Sequence, residues 1–176
     1  MKTKATLLII LLLNVLSCDE IDKLTEFDVR DNFESVFRIS ESANSEGQPV
    51  TITETVTVDI STNQEIADNL NLIQSIAIES ITFKIENFSG NDNITLSNAS
   101  IAFNNEIITL EDINLSSAED SGTVYNIGTA SNYNTIANIL KNDPSVTAKI
   151  SGTISEIPVS FDVRLKVDLK VVIDVI

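Results

Sequence analysis

The 176-residue sequence contains no histidine and no tryptophan, and it has only one cysteine. Without histidine there is no Ser-His-Asp or Cys-His catalysis and no imidazole metal site. A single cysteine excludes an intrachain disulfide framework and every zinc site built from cysteine pairs. Basic residues are also scarce, 11 against 26 acidic ones, which gives a net charge of −15. Such a chain repels phosphate backbones, so we predict no nucleic-acid partner.

The residues that are present are sufficient for a folded core. Apolar residues make up 43% of the sequence, which is too high a fraction for a disordered chain. A chain near 150 residues buries roughly 68–70% of the surface that its unfolded form exposes. The sequence has no internal repeat and no low-complexity run, so we expect one domain.

The first 17 residues have the composition of a signal peptide. Lys2 and Lys4 precede an uninterrupted apolar run over residues 7–13, and a small residue, Ser17, ends the segment. A basic start, a short apolar stretch and a small residue before the cleavage point define such a peptide. The apolar stretch is shorter than the about 20 residues that a transmembrane helix needs. We therefore predict a signal peptide over residues 1–17 and no transmembrane helix.

Cys18 ends a short motif at this cleavage point. The segment Val15-Leu16-Ser17-Cys18 places an aliphatic residue three positions before the cysteine and a small residue directly before it. It resembles the lipobox of bacterial lipoproteins, although Leu16 stands where that family usually has Ala or Ser. The resemblance implies that the Cys18 thiol is lipidated and that the signal peptidase cuts before it. An ordinary secretory signal is the alternative, but it leaves an unpaired thiol in an oxidising compartment.

Acidic residues follow the cysteine in the segment that we assign as a tether, residues 18–26, which includes Asp19, Glu20 and Asp22. This arrangement resembles the surface-export signal of Bacteroidota lipoproteins, whereas in some other bacteria Asp at this place signals inner-membrane retention. The resemblance implies a lipid-anchored protein of the bacterial outer membrane, at its periplasmic face or at the cell surface. Loss of the two lysines in the signal peptide leaves 9 basic and 26 acidic residues, a charge of −17.

From Phe27 onward the sequence alternates between apolar and polar residues, which predicts half-buried β-strands. A skipped alternation at Glu79-Ser80 indicates a bulge, and Asn104-Asn105 indicates a turn. From residue 159 to 175 every odd position is apolar. Because strands usually have about 5–6 residues, this segment must bend, bulge or cross between sheets. The predicted strand regions are 27–39, 50–60, 76–85, 94–103, 107–115, 124–127, 146–154 and 159–175.

Two short helices are predicted between these strands. Thr62 and Glu65 have the spacing of a capping box, and the apolar residues after them recur at helical spacing, which predicts a helix over residues 63–73. A second helix is predicted over residues 131–141, ending before Pro144, because proline disfavours a helical residue before it.

The pattern as a whole predicts a mainly β domain over residues 27–176. About eight antiparallel strands with two crossover helices favour a two-sheet sandwich of immunoglobulin-like type. A β-barrel is the alternative.

Clustered acidic side chains, two clusters of which lie in predicted loops, are the candidate metal ligands. Carboxylate oxygens suit Ca²⁺, a hard cation, but none of these residues has the spacing of an EF-hand loop. A solvated acidic surface is therefore the preferred interpretation, and we expect no other cofactor. The candidates are Asp92, Glu111, Asp112, Glu119 and Asp120.

Tyr125 and Tyr133 are the best candidates for ligand contact, because each combines an aromatic ring with a polar edge near a predicted loop. The alternative is that Tyr125 packs within a strand and that Tyr133 caps the second helix. Glu54 stands alone on the apolar face of its strand. One hypothesis is a buried carboxylate with a raised pKa; the preferred interpretation is a residue at the margin of a sheet or one that meets one of the few lysines and arginines.

Three functional hypotheses follow. The first is a lipid-anchored, non-enzymatic interaction or structural domain of the bacterial envelope, with the membrane and an envelope protein as partners. The second is a carboxylate-dependent hydrolase similar to a glycosidase, since that chemistry works without histidine. The third is a module that binds Ca²⁺ or a glycan. A pocket lined by two close carboxylates would favour the hydrolase.

Overall fold

The computed structural model describes residues 25–42 and 48–175. The predicted signal peptide, Cys18 and most of the predicted tether lie outside the described residues, as do residues 43–47 between the first two predicted strands. Within the described ranges, no helix is long and apolar enough to cross a membrane.

Nine strands and three α-helices make up the described part of the chain. The strands are β1 (Glu26–Glu41), β2 (Val50–Asp59), β3 (Ile73–Ser89), β4 (Thr95–Phe103), β5 (Glu106–Thr109), β6 (Ile113–Asn114), β7 (Val124–Asn126), β8 (Ser145–Ile154) and β9 (Val159–Asp174). The α-helices are α1 (Gln64–Asp68), α2 (Leu115–Asp120) and α3 (Ala130–Asn142). One-turn 3₁₀ helices over residues 60–62 and 70–72 flank α1.

The strands form two antiparallel sheets that pack as a sandwich. Sheet A has the order β1-β9-β3-β7, and sheet B has the order β2-β8-β4-β5 with the short β6 added beside β4. The predicted mainly β, two-sheet sandwich is thereby confirmed, and the described strands do not close into a barrel.

The strand order within this sandwich is that of a jelly roll. Apart from β6, the first strand pairs with the last, the second with the next to last, and so on inward to the β4–β5 hairpin. The chain is thus one long antiparallel hairpin rolled into two four-stranded sheets, the architecture named jelly roll. Immunoglobulin domains share the sandwich but distribute their strands as ABED and CFG.

Strand β9 is one of the two inner strands of sheet A. Every odd residue from Val159 to Ile173 is buried, as the strict alternation predicts. β9 pairs with β1 over 16 residues without a break and with β3 on its other side. It stays in one sheet along its whole length. The pairing irregularities lie against β3, and one of them is the predicted bulge, between Ile78 and Ser80.

The helices differ from the prediction in three details. The first predicted helix is shorter, because α1 covers only residues 64–68, and its N-cap is Asn63, whose side chain accepts from the Ile66 amide. The second is confirmed within one residue at each end as α3, which begins with a capping box between Thr129 and Asn132. The sequence analysis missed α2, which begins at the last residue of the predicted strand 107–115 and continues into the segment after it.

The two ends of the sandwich differ in what they carry. We call the end where β1 begins and β9 ends the lower end, formed by residues 25–26, 59–73 and 174–175. The opposite end, formed by residues 41–42, 89–95 and 154–159, is the upper end. The two helical turns and α1 close the lower end, whereas short turns connect the sheets at the upper end.

Candidate functional site

A cleft opens between the sheets on the side where the short strands β5 and β7 form the edges. It has a volume of about 300 Å³. The lining residues are Phe83, Thr109, Leu110, Glu111, Ile113, Tyr125, Asn126, Ile127 and Gly128. Four of these side chains are apolar, Tyr125 adds a ring with a polar edge, and the polar residues Thr109, Glu111 and Asn126 are exposed.

Tyr125 is positioned in this cleft by the pairing of β7 with β3. Tyr125 is the partner of Phe83 in that ladder, and their rings stack with centroids 4.8 Å apart at an angle of 9°. Phe83 is buried, whereas Tyr125 is half-buried. The prediction that Tyr125 packs within a strand and the prediction that it stands at a ligand surface are therefore compatible.

Tyr133 stands in the first turn of α3 and ties that helix to sheet A. Its hydroxyl lies 2.9 Å from the carbonyl oxygen of Ile127 and accepts from the Ile81 amide at 3.4 Å. The same oxygen lies 3.0 Å from Asn126 Oδ1. Because the hydroxyl is engaged with the backbone on both sides, Tyr133 supports the wall of the cleft and does not line it.

Gly128 allows this wall to form. Its φ of +87° lies in the region that favours glycine. A Cβ at this position would stand 2.9 Å from Tyr133 Cε1 and 3.2 Å from Ile108 Cδ1. The close approach of Tyr133 and Ile108 to the backbone therefore depends on the missing side chain.

The candidate metal ligands fall into two separate places. Glu111 lines the cleft, with Asp112 exposed beside it. Near the upper end, Glu119 accepts from the Phe88 amide at 3.0 Å, and Asp92 accepts from the Ser116 hydroxyl at 3.3 Å. These two contacts hold α2 to the end of β3 and to the turn after it.

No group of three acidic side chains converges anywhere in residues 25–42 and 48–175. The hypothesis that the predicted Ca²⁺ ligands, including Asp120, bind one ion together is therefore not supported. Glu54 is exposed on the edge strand β2, so the prediction of a buried carboxylate is wrong and the alternative, a residue at the sheet margin, holds.

The outer face of sheet A carries a network of opposite charges. The Arg164 guanidinium contacts Glu86 at 2.9 Å and Glu34 at 3.3 Å, and Arg164 holds the pKa of the Glu86 carboxyl below its usual value. Burial raises the pKa of Asp168, but hydrogen bonds from Lys166 and Ser80 outweigh it, and the net shift is downward.

Five basic side chains of the described ranges form ion pairs with acids on the outer face of sheet A, namely Arg30, Lys84, Arg164, Lys166 and Lys170. Between Lys84 and Lys141 the sequence has no lysine or arginine at all. Within this stretch, Glu111 is the one acidic residue that lines the cleft, and α2 carries Glu119 and Asp120.

Comparison with known proteins adds only a similarity of shape. No protein-family model matches the chain, and no curated protein matches its sequence. Solved structures that are similar include a decameric BFDV capsid protein, with 8% identity over 83% of this chain and 98% of that chain and a TM-score of 0.43. The capsid of Helicobacter pylori bacteriophage KHP30 has 8% identity over 86% and 98% of the two chains, with a TM-score of 0.34. Scores this low carry no argument about function.

Sequence reasoning missed the cleft itself and most of its lining. Phe83 is distant in sequence from Ile127 and Gly128, and the register of β7 against β3 brings these residues together. The glycine before a helix cap was the one local signal, because Gly128 directly precedes the cap residue Thr129.

Proposed function

We propose that this protein is a lipid-anchored, non-enzymatic interaction domain of the bacterial envelope, held to the outer membrane through Cys18. The observation that carries the proposal is the lipobox at residues 15–18 followed at once by a folded domain. β1 begins at Glu26, so a short acidic segment is all that separates the cysteine from the sandwich. A domain placed this way acts on what reaches the membrane surface.

The cleft between β5 and β7 is the contact surface in this proposal. The stacked Phe83–Tyr125 pair offers an aromatic wall, and Glu111 supplies a negative charge at the rim. This combination suits a neutral or cationic group on a partner protein. A glycosidase requires a pair of carboxyl groups across the bond that is cut, and Glu111 is the one acidic residue that lines this cleft. A separate groove beside β1 and β2 is lined by Asp31, Glu34 and Asp59, but Asp31 and Asp59 accept hydrogen bonds from Asn63 and Ser61 there.

Mass spectrometry of the membrane-bound protein tests the anchor. We expect an N-terminal peptide that begins at Cys18 and carries the mass of the diacylglyceryl group, with residues 1–17 removed. In the Cys18→Ser variant the protein should leave the membrane fraction, because the thiol that receives the lipid is gone. An unmodified thiol, or cleavage at another position, would refute the anchor and with it the proposed location.

An activity screen on glycans, esters and peptides tests the non-enzymatic part. We expect no turnover by the purified protein. Glu111→Gln is the informative variant, because it removes the cleft carboxylate while keeping its size, and Glu54→Gln is the matched control outside the cleft. Turnover that is lost in Glu111→Gln and kept in Glu54→Gln would establish a hydrolase instead.

A further inference from the structure

Apolar side chains are exposed at the lower end of the sandwich, beside the start of the folded chain. Leu70 and Leu72 are 37% and 40% exposed in the 3₁₀ turn before β3, and Val175 is 53% exposed after β9. The Val175 amide donates to the Thr25 carbonyl oxygen at 3.2 Å, which places Val175 against the first residue of the described domain.

These residues lie at one end of sheet A. β9 stands between β1 and β3, and Ile73, directly after Leu72, pairs with Ile173. Thr25, Val175 and Leu72 therefore stand just beyond the lower ends of three neighbouring strands, β1, β9 and β3. Five large apolar residues are exposed in the described ranges, and three of them are in this patch at the lower end.

The length of the preceding chain decides what can cover the patch. Residues 18–24 lie between the lipidation site and Thr25, and seven extended residues span at most about 25 Å. An anchor at Cys18 thus keeps the lower end, and not the upper end, close to the bilayer. β9 alone measures about 50 Å, at ~3.3 Å for each of its residues.

We infer that the lower end of the sandwich rests on the lipid surface, with Leu70, Leu72 and Val175 inserted among the headgroups. This inference rests on the proposed anchor at Cys18. Exposed apolar side chains enter the boundary between headgroups and acyl chains. Lys141 approaches the same end, because its ammonium group donates to the Gln74 carbonyl oxygen, and it can meet a lipid phosphate.

The charge of the domain selects the kind of lipid surface. Glu26, Asp68 and Asp174 surround the patch, and the processed chain carries a charge of −17 by sequence. Like charges repel, so the patch docks on a zwitterionic surface and is weakened on an anionic one. The sandwich then stands upright, with the upper end directed away from the membrane.

Single tryptophans test this orientation, because the sequence contains none of its own. The full lipidated chain, as Leu72→Trp or Val175→Trp, is reconstituted into phosphatidylcholine vesicles with acyl chains brominated near the headgroup. Fluorescence of both reporters should fall by roughly half, as expected for side chains at the headgroup boundary. Val124→Trp is the control, since Val124 is 62% exposed on β7, away from the lower end, and its fluorescence should not change.

Each outcome decides the matter. Protein that floats with the vesicles but shows no quenching of Leu72→Trp and Val175→Trp refutes the docking and leaves the anchor intact. Quenching of Val124→Trp to the same extent refutes the upright orientation. Protein that does not float with vesicles at all refutes the anchor and the docking together. Weaker quenching in phosphatidylglycerol vesicles is expected, and stronger quenching there would contradict the role given to the acidic residues.

Discussion

Replacement of Phe161 by alanine should lower the free energy of unfolding by about 3–5 kcal/mol, the usual cost of removing a buried phenylalanine. Phe161 is 1% exposed and lies in β9, opposite Ile39 of β1. Its removal leaves a cavity between the sheets that the paired strands on both sides cannot close. Domains of this size are stable by roughly 5–15 kcal/mol in total, so this single change removes a large share.

Urea denaturation of the chain from residue 19 onward measures this loss. Val124→Ala is the matched control, because it also shortens an apolar strand residue but at a position 62% exposed. Surface changes usually stay within about 0.5 kcal/mol. Similar losses in both variants would show that the core is not centred on β9.

Replacement of Gly128 by alanine should cost about 2–5 kcal/mol, from left-handed backbone strain together with overpacking of the site. The new methyl group would stand 2.9 Å from the Tyr133 ring, so Tyr133 must move away from the hydrogen bonds that join α3 to β3. The wall of the cleft is then disturbed along with the stability.

Gly122→Ala separates the two causes of this loss. Gly122 also has a positive φ, +61°, but the nearest atom to its added Cβ is Lys84 Cε at 4.0 Å. We expect the backbone strain alone to destabilise this variant, by about 1–2 kcal/mol. Equal midpoints in urea for the two variants would mean that Tyr133 does not press against Gly128.

The sequence predicts those elements whose pattern is local. The strict alternation in β9 predicts which of its side chains are buried. Successive side chains of a strand point to opposite faces of the sheet, and the odd ones of β9 are all buried. The bulge near Ser80 is visible as a skipped apolar position. The end of α3 before Pro144 is likewise a local signal, whereas its cap residue, Thr129, was not predicted.

Features set by distant segments could not be predicted. α2 begins at Leu115 with a side chain cap from Asn114, but the apolar residues of this segment also fit the end of a strand. What decides for the helix is the contact of Glu119 with the Phe88 amide, 31 residues away. The jelly-roll order has the same origin, since each strand finds its partner across the whole intervening chain.

The unbroken pairing of β1 with β9 also determines how the domain responds to force. A pull on the segment before Glu26 acts along the axis of β1, while the hydrogen bonds to β9 run perpendicular to the strands. Sixteen residue pairs are then loaded together in shear, and none can open before its neighbours. A domain that is held at β1 and pulled at its upper end would therefore resist unfolding far better than a domain whose last strand is pulled away one residue pair at a time.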